Sequence, residues 1–218
     1  LGNLHPGAGR FMFQTIASLL DWLGVIAFTV TGALVASRKQ MDIVGFIVLG
    51  TVTGIGGGTL RDVLLGLPVF WIREPAYLVT CAFVSVLVFF GAHVPQSRHR
   101  FILWMDAIGL ALFAVTGAEK AACEGAGSIV VVTMGVITAT FGGIVRDVLG
   151  GESPVILSRE IYASAALAGA LIFVVLIAAG ASRQVAAGCG FGIGLLIRAP
   201  ALHYGWSLPR YRQRAGLP

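Results

Sequence analysis

The sequence predicts an all-α integral membrane protein with seven transmembrane helices, arranged as two inverted three-helix repeats followed by a seventh helix. Composition is the first reason, because 57% of the 218 residues are hydrophobic and only 11% are charged, whereas soluble domains carry about 25% charged residues. The second reason is that seven apolar stretches approach or reach the length of a bilayer span. The third is that the sequence repeats itself at a shift of 85 positions.

The seven apolar stretches are separated by short connections that hold charged residues and prolines. They cover residues 17–36, 43–66, 75–92, 101–121, 128–150, 160–179 and 184–202. Transmembrane β-strands are not expected. A barrel strand needs only about 10 residues, with apolar and polar side chains in alternation, whereas these stretches are longer and do not alternate. We therefore assign one membrane domain, 1–218, made of a first repeat at 17–92, a second repeat at 101–179, a seventh helix at 184–202 and a basic C-terminal tail at 203–218.

The distribution of Lys and Arg predicts how the chain is oriented. One side would hold four of these residues, including Lys120, and the other side nine, including Arg198. The positive-inside rule puts the richer side in the cytoplasm, with the N-terminus outside and the C-terminus inside. The net charge of +5 is not gathered in one patch, so nucleic acid is not expected as a partner.

The internal repeat aligns residues 21–66 with residues 106–151 without a gap, and 17 of the 46 positions are identical. The similarity is clearest where GTVTGIGGGTLRDVLLG (50–66) aligns with GVITATFGGIVRDVLGG (135–151). Each copy holds three spans, an odd number, so the second copy must enter the membrane from the opposite face. In folds of this kind the transport site lies near broken helices where the two repeats meet.

Glycines cluster in the middle of the second and fifth spans. Each one loosens a helix by ~1 kcal/mol relative to alanine, which predicts a kink or a short unwound stretch that lines a pathway. The alternative is close packing of helices through small residues. The glycines concerned are Gly54, Gly56, Gly57 and Gly58 in the second span and Gly142 and Gly143 in the fifth.

An Arg-Asp pair follows each glycine motif, Arg61-Asp62 in the first copy and Arg146-Asp147 in the second. An ionised side chain within a span costs at least ~2.5–3.5 kcal/mol, so it marks a pathway or a buried partner. Adjacent helical residues point about 100° apart, and we therefore expect each arginine to find a partner elsewhere. We predict a role in permeation or gating; the alternatives are a static network and snorkelling to the headgroups.

Other polar residues also occupy equivalent positions in the two copies. The threonines are expected to offer hydroxyl ligands to the pore, unless they bond to the carbonyl one turn earlier in the helix. The aspartates are expected at the two pore mouths, where acid would concentrate cations, or at helix N-termini. The threonines are Thr31, Thr53, Thr116 and Thr138, and the aspartates are Asp21 and Asp106.

The sequence contains no catalytic or metal-binding pattern. Its four histidines lie in terminal or connecting segments, and its three cysteines are far apart and lack the spacing of a metal site. We therefore predict that the protein is not an enzyme and has no cofactor and no metal site.

Seven spans, duplicated three-span halves and the paired GG-x-x-RDVL motifs resemble the prokaryotic trimeric intracellular cation (TRIC) channels, a bacterial domain also catalogued as a putative glycine transporter. The resemblance covers nearly all of residues 12–205. It implies a homotrimer with one potassium-selective pore inside each protomer, kinked second and fifth helices, and membrane lipids and permeant cations as further partners. Animal members carry Lys-Glu-Val where this chain has Arg61-Asp62-Val63, so dependence on phosphoinositides does not carry over.

Two functions are consistent with these patterns. The first is a passive channel in a prokaryotic inner membrane, with K⁺ as the permeant ion. The alternative is a secondary transporter for glycine or a similar small zwitterion, in which Arg61 or Arg146 would hold the substrate carboxylate. A purely structural scaffold would leave the two Arg-Asp pairs within the spans unexplained.

Overall fold

The computed structural model describes residues 6–91, 98–157 and 161–207. This part of the protein consists of helices joined by short connections. Most of the basic tail predicted at 203–218 therefore lies outside the described residues. A 3₁₀ turn covers Val155–Leu157. The helices are α1 (Pro6–Arg38), α2 (Ile43–Leu64), α3 (Phe70–Arg73), α4 (Ala76–Gly91), α5 (Arg98–Cys123), α6 (Ser128–Leu149), α7 (Ala163–Ala178) and α8 (Arg183–Tyr204).

Five of these helices are long and apolar enough to cross a membrane: α1 from Ser18 onward, α2, α5, α6 and α8. An all-helical membrane fold is therefore confirmed. Helices α4 and α7 are apolar but have only 16 residues each. At 1.5 Å per residue each is about 24 Å long, shorter than the ~30 Å hydrocarbon core, so a full crossing by these two helices stays a prediction.

Helices α2 and α6 both end at the last residue of the RDVL sequence, Leu64 and Leu149, and they end in the same way. Gly66 and Gly151 adopt positive φ angles of 69° and 67°, a conformation that costs glycine little. The turns are closed by backbone bonds of 2.8 Å from Leu67 to the Asp62 carbonyl and from Glu152 to the Asp147 carbonyl. This is the C-cap geometry expected where glycine follows a helix.

Two short elements that the sequence analysis did not predict follow these stops. Helix α3 begins where the Phe70 amide donates to Asp62 Oδ2 at 3.0 Å. The 3₁₀ turn begins where the Val155 amide donates to Asp147 Oδ2 at 2.9 Å. The aspartate of each motif therefore fixes the chain that leaves the helix.

Helices α1 and α5 cross each other antiparallel at two glycine–phenylalanine contacts. Gly24 lies against the Phe113 ring and Gly109 against the Phe28 ring. The rings of Phe28 and Phe113 touch with centroids 5.2 Å apart. These rings form part of the apolar core, which continues to α4 and α7.

Each of these helices also packs on its sequence neighbour in the same manner. A Cβ atom at Gly32 of α1 would lie 2.5 Å from the Thr53 hydroxyl of α2, and one at Gly117 of α5 would lie 2.5 Å from the Thr138 hydroxyl of α6. Positions 85 residues apart thus make the same contact in both parts of the chain.

Candidate functional site

The glycine motifs bring α2 and α6 into direct backbone contact. A side chain at Gly57 would overlap the Thr138 carbonyl, and one at Gly142 would overlap the Thr53 carbonyl. Because the lower-numbered residue of one helix meets the higher-numbered residue of the other, the two helices run antiparallel here. Glycine is required for this approach since any Cβ would force the backbones apart.

Both helices remain continuous through their motifs, so the unwound stretch is not observed. A bend there stays a prediction, whereas the close packing weighed as its alternative is present. The remaining motif glycines also face neighbours at short range. Gly54 meets the Thr29 hydroxyl, Gly56 the backbone of Gly142, Gly58 the ring of Phe70, and Gly143 the hydroxyl of Tyr162.

One group of charged side chains, which we call the first half-site, consists of Asp21, Arg61, Asp62 and Lys120. Arg61 Nε donates to Asp62 Oδ1 at 2.8 Å, and Arg61 Nη1 lies 3.5 Å from Asp21 Oδ1. Lys120 Nζ contacts the same Asp62 oxygen at 2.9 Å. Arg61 and Asp62 are fully buried, but the side chain of Asp21 is 16% exposed and that of Lys120 is 32% exposed.

The equivalent group, the second half-site, consists of Thr31, Asp106, Arg146 and Asp147. Arg146 Nη1 donates to Asp106 Oδ1 at 2.5 Å and to the Thr31 hydroxyl at 3.0 Å. Its Nε donates to Asp147 Oδ1 at 2.9 Å. All four residues are buried, so this half-site is closed to solvent whereas the first is partly open.

Each arginine has a partner elsewhere, as expected, and it also binds its neighbouring aspartate, which was not expected. Both arginines bind the adjacent carboxylate through Nε. The arginine side chain is long enough to turn back along the helix, and burial deprives the carboxylate of water as an alternative donor. Each arginine also has the second partner that was expected elsewhere, an aspartate of α1 or α5.

The two aspartates expected at the pore mouths are part of these ion pairs. Asp106 is buried against Arg146, so it does not present free acid to solvent in this conformation. Asp21 keeps a small exposed surface next to Arg61. In each half-site the arginine thus neutralises the acid that was expected to attract cations.

The four threonines are all buried near the two half-sites or the glycine contact. Thr53 and Thr138 donate to the carbonyls of Leu49 and Met134, each at 2.6 Å, which is the intrahelical alternative. Thr31 donates to a carbonyl of its own helix and accepts from Arg146. The Thr116 hydroxyl has no hydrogen-bond partner among the described residues.

Two basic residues that were counted as lying on the two sides of the membrane contact buried groups of the bundle. Lys120 is part of α5 and pairs with Asp62, and Arg198 is part of α8 with only 1% of its surface exposed. Arg198 Nη1 donates to the Ile161 carbonyl, and its Cζ lies 5.2 Å from the centre of the Tyr162 ring. Without these two residues, the number of Lys and Arg is three on one side of the membrane and eight on the other. The same side is therefore still expected to face the cytoplasm.

The formal charges of each half-site sum to zero once Lys120 is counted with the first half-site and Arg198 with the second. In the first half-site Arg61 and Lys120 offset two aspartates. In the second, Arg146 leaves one negative charge uncompensated, and Arg198, which lies over the Tyr162 ring, brings the sum to zero. Balance is expected because an uncompensated charge in a span is costly.

An apolar crossing separates the two half-sites. Phe28 lies between Asp21 and Thr31 on α1, and Phe113 lies between Asp106 and Thr116 on α5. The arrangement can therefore hold charge on both sides of a short hydrophobic barrier. Within residues 6–91, 98–157 and 161–207, no three His, Cys, Asp or Glu residues are grouped so that they could hold a metal ion.

Comparison with known proteins identifies relatives over most of the chain. The family described as "Glycine transporter" matches residues 18–93 and 103–178, two segments whose starts are 85 residues apart. The UPF0126 inner membrane protein YadS of Escherichia coli K12 is 39% identical over 195 residues, which cover 88% of this chain and 94% of YadS.

Solved structures of TRIC channels have the same fold. The TRIC trimeric intracellular cation channel orthologue from Rhodobacter sphaeroides is 63% identical, with a TM-score of 0.86, over 88% of this chain and all of that one. A prokaryotic TRIC channel crystallised in 0.5 M KCl is 34% identical, with a TM-score of 0.84, over 89% and 100% of the two chains. These relatives are channels and membrane proteins rather than enzymes, as the sequence predicted.

Proposed function

This chain belongs to the TRIC channel family, the family also described as "Glycine transporter", and from that premise we propose that it forms a potassium-permeable cation channel. The observation that carries the proposal is the pair of buried Arg-Asp half-sites on either side of the contact between α2 and α6. The two half-sites hold seven charged side chains, and placing so many within the membrane without a role in transport would be energetically unfavourable.

The proposed pathway runs between α2 and α6, and α1 and α5 complete its wall. In the described conformation the backbones of Gly57 and Gly142 touch the opposite helix, and we infer that this is the closed conformation. Opening requires the two helices to bend or part at the motifs. The carbonyls of Thr53 and Thr138 would then face the gap, where carbonyl oxygens are suitable ligands for K⁺.

The proposed architecture is seven crossings, with two inverted three-helix repeats and kinks at the glycine motifs. The antiparallel contacts between α1 and α5 and between α2 and α6 support the inversion, and the two family matches support the duplication. The N-terminus is proposed to lie outside and the C-terminus in the cytoplasm of a prokaryotic inner membrane.

The proposed assembly is a homotrimer with one pore inside each protomer, surrounded by membrane lipids. Its support is that the Rhodobacter sphaeroides relative is described as trimeric and that both half-sites are complete within a single chain. The protein in detergent is expected to have three times the chain mass of 22.8 kDa, measured by native mass spectrometry. A monomer as the main species would contradict the trimer.

Glycine transport is the second candidate because of the description of the matching family. A carboxylate substrate would need a free guanidinium. Arg61 and Arg146 are each bound to an adjacent aspartate and contact a second one, so a substrate would have to displace a carboxylate of the protein. The channel is therefore the better-supported function.

Proteoliposomes loaded with K⁺ test the proposal against its alternative. The channel predicts K⁺ efflux down its gradient in the absence of glycine, together with glycine uptake no greater than that of protein-free liposomes. Saturable uptake of labelled glycine without K⁺ efflux would contradict the channel and support the carrier.

A further inference from the structure

Two phenylalanine rings lie between the half-sites, and the proposed pathway does not yet assign them a role. Phe28 of α1 and Phe113 of α5 occupy equivalent positions of the repeat, and their ring centres are 5.2 Å apart. Each ring lies against a glycine of the opposite helix, Gly109 for Phe28 and Gly24 for Phe113. Both phenylalanines are buried, with 0% and 1% of their surface exposed. The pair therefore fills the space where α1 and α5 cross.

Contacts along α1 place Phe28 between the two charged groups. Asp21 lies 3.5 Å from Arg61 of the first half-site, and Thr31 accepts a hydrogen bond of 3.0 Å from Arg146 of the second. Phe28 follows Asp21 by about 10 Å along the helix axis and precedes Thr31 by about 5 Å, on the same face of α1. An ion that moved along this face from one half-site to the other would have to pass the ring.

The Phe28 ring also reaches the contact that closes the proposed pathway. A Cβ atom at Gly142 of α6 would lie 3.6 Å from this ring and would overlap the Thr53 carbonyl of α2. Helix α1 packs on α2 and α5, and α6 packs on the same two helices, so the four helices surround the region in which the ring lies. Phe28 therefore lies beside the contact between α2 and α6 at which the pathway is proposed to open.

We propose that Phe28 and Phe113 form the hydrophobic gate of the channel, the barrier that stops ions in the closed conformation. The inference rests on the proposed channel function and names the residues that close its pore. A hydrophobic constriction blocks ions by excluding water. An ion that enters it loses its hydration shell and finds no polar atom in exchange, which is unfavourable. The barrier is short, because the charged groups on its two sides are only about 15 Å apart along α1.

The gate is coupled to the proposed opening of α2 and α6. When these helices part at Gly142, the Phe28 ring loses its neighbour on α6 and the space beside the ring widens. The rings offer no oxygen ligand to K⁺, unlike the carbonyls of Thr53 and Thr138. We therefore expect the gate to determine how often the pore conducts, whereas the preference for K⁺ depends on other groups.

Phe28→Asn and Phe28→Leu together test whether polarity or size matters at this position. The two new side chains have the same branching, but asparagine carries an amide that binds water. Phe28→Asn is expected to raise K⁺ efflux from proteoliposomes about tenfold, which corresponds to a barrier lower by about 1.4 kcal/mol. The reversal potential in planar bilayers should not change. Phe28→Leu stays apolar, and its efflux is expected to lie within about twofold of wild type.

Phe173→Asn is the matched control. Phe173 of α7 is also 1% exposed, but it belongs to a separate apolar cluster that includes Ala170 and Ala187. The same polar group at this position should also destabilise the fold and should leave K⁺ efflux at the wild-type level. The comparison therefore separates a gate from general loosening of the protein by a buried amide. Phe113→Asn is expected to act as Phe28→Asn does, and it replaces that variant if Phe28→Asn does not fold.

Failure of the gate and failure of the channel give different results. Equal K⁺ efflux from Phe28→Asn and Phe28→Leu, or the same increase in Phe173→Asn, would overturn the gate and leave the channel intact. Wild-type protein that carries no K⁺ current under any condition would instead contradict the channel on which the gate depends.

Wild-type protein decides if neither asparagine variant folds, because a gate that excludes water also stops the flow of water. The measurement uses a buffer in which planar bilayers of the protein show no unitary steps. Proteoliposomes transferred in this buffer to a hypertonic medium should shrink no faster than protein-free liposomes. Faster shrinkage would overturn the gate.

Discussion

Arg146 on α6 and Asp106 on α5 form the shortest ion pair among the described residues, with 2.5 Å between Nη1 and Oδ1 and with both side chains buried. The equivalent pair, Arg61 and Asp21, is 1 Å longer, and its aspartate is partly exposed. Two copies of one sequence motif have therefore reached different states, and this asymmetry allows experiments in which each half-site serves as the control for the other.

Asp106→Asn should destabilise the protein more than Asp21→Asn. Asp106→Asn removes the shortest contact of Arg146 and leaves Arg146 and Arg198 with only Asp147 to offset them, and breaking a buried charge network in this way costs about 3–5 kcal/mol. Asp21 is closer to solvent and binds Arg61 more weakly, so its loss should cost about 1 kcal/mol or less. Thermal unfolding in detergent, followed by tryptophan fluorescence, measures both, and equal decreases in melting temperature would contradict the difference between the half-sites.

Gly57→Ala and Gly142→Ala should each disrupt the contact between α2 and α6. The added methyl group would collide with the carbonyl of Thr138 or Thr53, and overpacking of this kind costs about 1–3 kcal/mol. Gly188→Ala is the matched control, since its Cβ would have no neighbour within 4 Å. If all three variants have the melting temperature of the wild type, the two helices are not in backbone contact.

The helices were predictable from hydropathy because each of the seven apolar stretches is bounded by charges, prolines or glycines. Span 43–66 became α2 (Ile43–Leu64), and span 128–150 became α6 (Ser128–Leu149). Helix α3 could not be found in this way. It begins at a hydrogen bond from Phe70 to Asp62, a contact that exists only once the chain has folded back.

The half-sites were only partly predictable. The repeat singled out Arg61 and Arg146, but their partners depend on which helices cross, and Thr31 lies 115 positions from Arg146. Lys120 and Arg198 were counted with the basic residues on the two sides of the membrane, because a cation near the end of a span looks the same in sequence whether it reaches solvent or a buried partner.

Glu152→Gln should have little effect on stability. Glu152 Oε1 forms ion pairs with Arg38 Nη2 at 3.3 Å and with Lys39 Nζ at 3.4 Å, but all three side chains are about a third exposed. Ion pairs in such positions contribute about 0–1 kcal/mol and are screened by salt. The melting temperature should stay within about 2 °C of wild type, and a decrease as large as that of Asp106→Asn would show that this end of α1 is held far more firmly than its exposure implies.

Cys123 reports the proposed orientation without any added residue. It is an exposed thiol at the end of α5, on the side proposed to face outward, whereas Cys81 is buried. Cys189, in α8, is also exposed and is therefore replaced by serine first. A membrane-impermeant maleimide added to intact cells should label the Cys189→Ser protein, and adding Cys123→Ser should abolish that labelling. Labelling that requires lysed cells would place this end of α5 in the cytoplasm and reverse the orientation.

Single-channel recording tests the central claim most directly. Purified protein in a planar bilayer with asymmetric KCl, and without glycine, should give discrete unitary currents whose reversal potential lies close to that of K⁺. A bilayer that contains folded protein but shows no unitary steps, or steps that reverse at the chloride potential, would contradict a potassium-conducting pore built around the two half-sites.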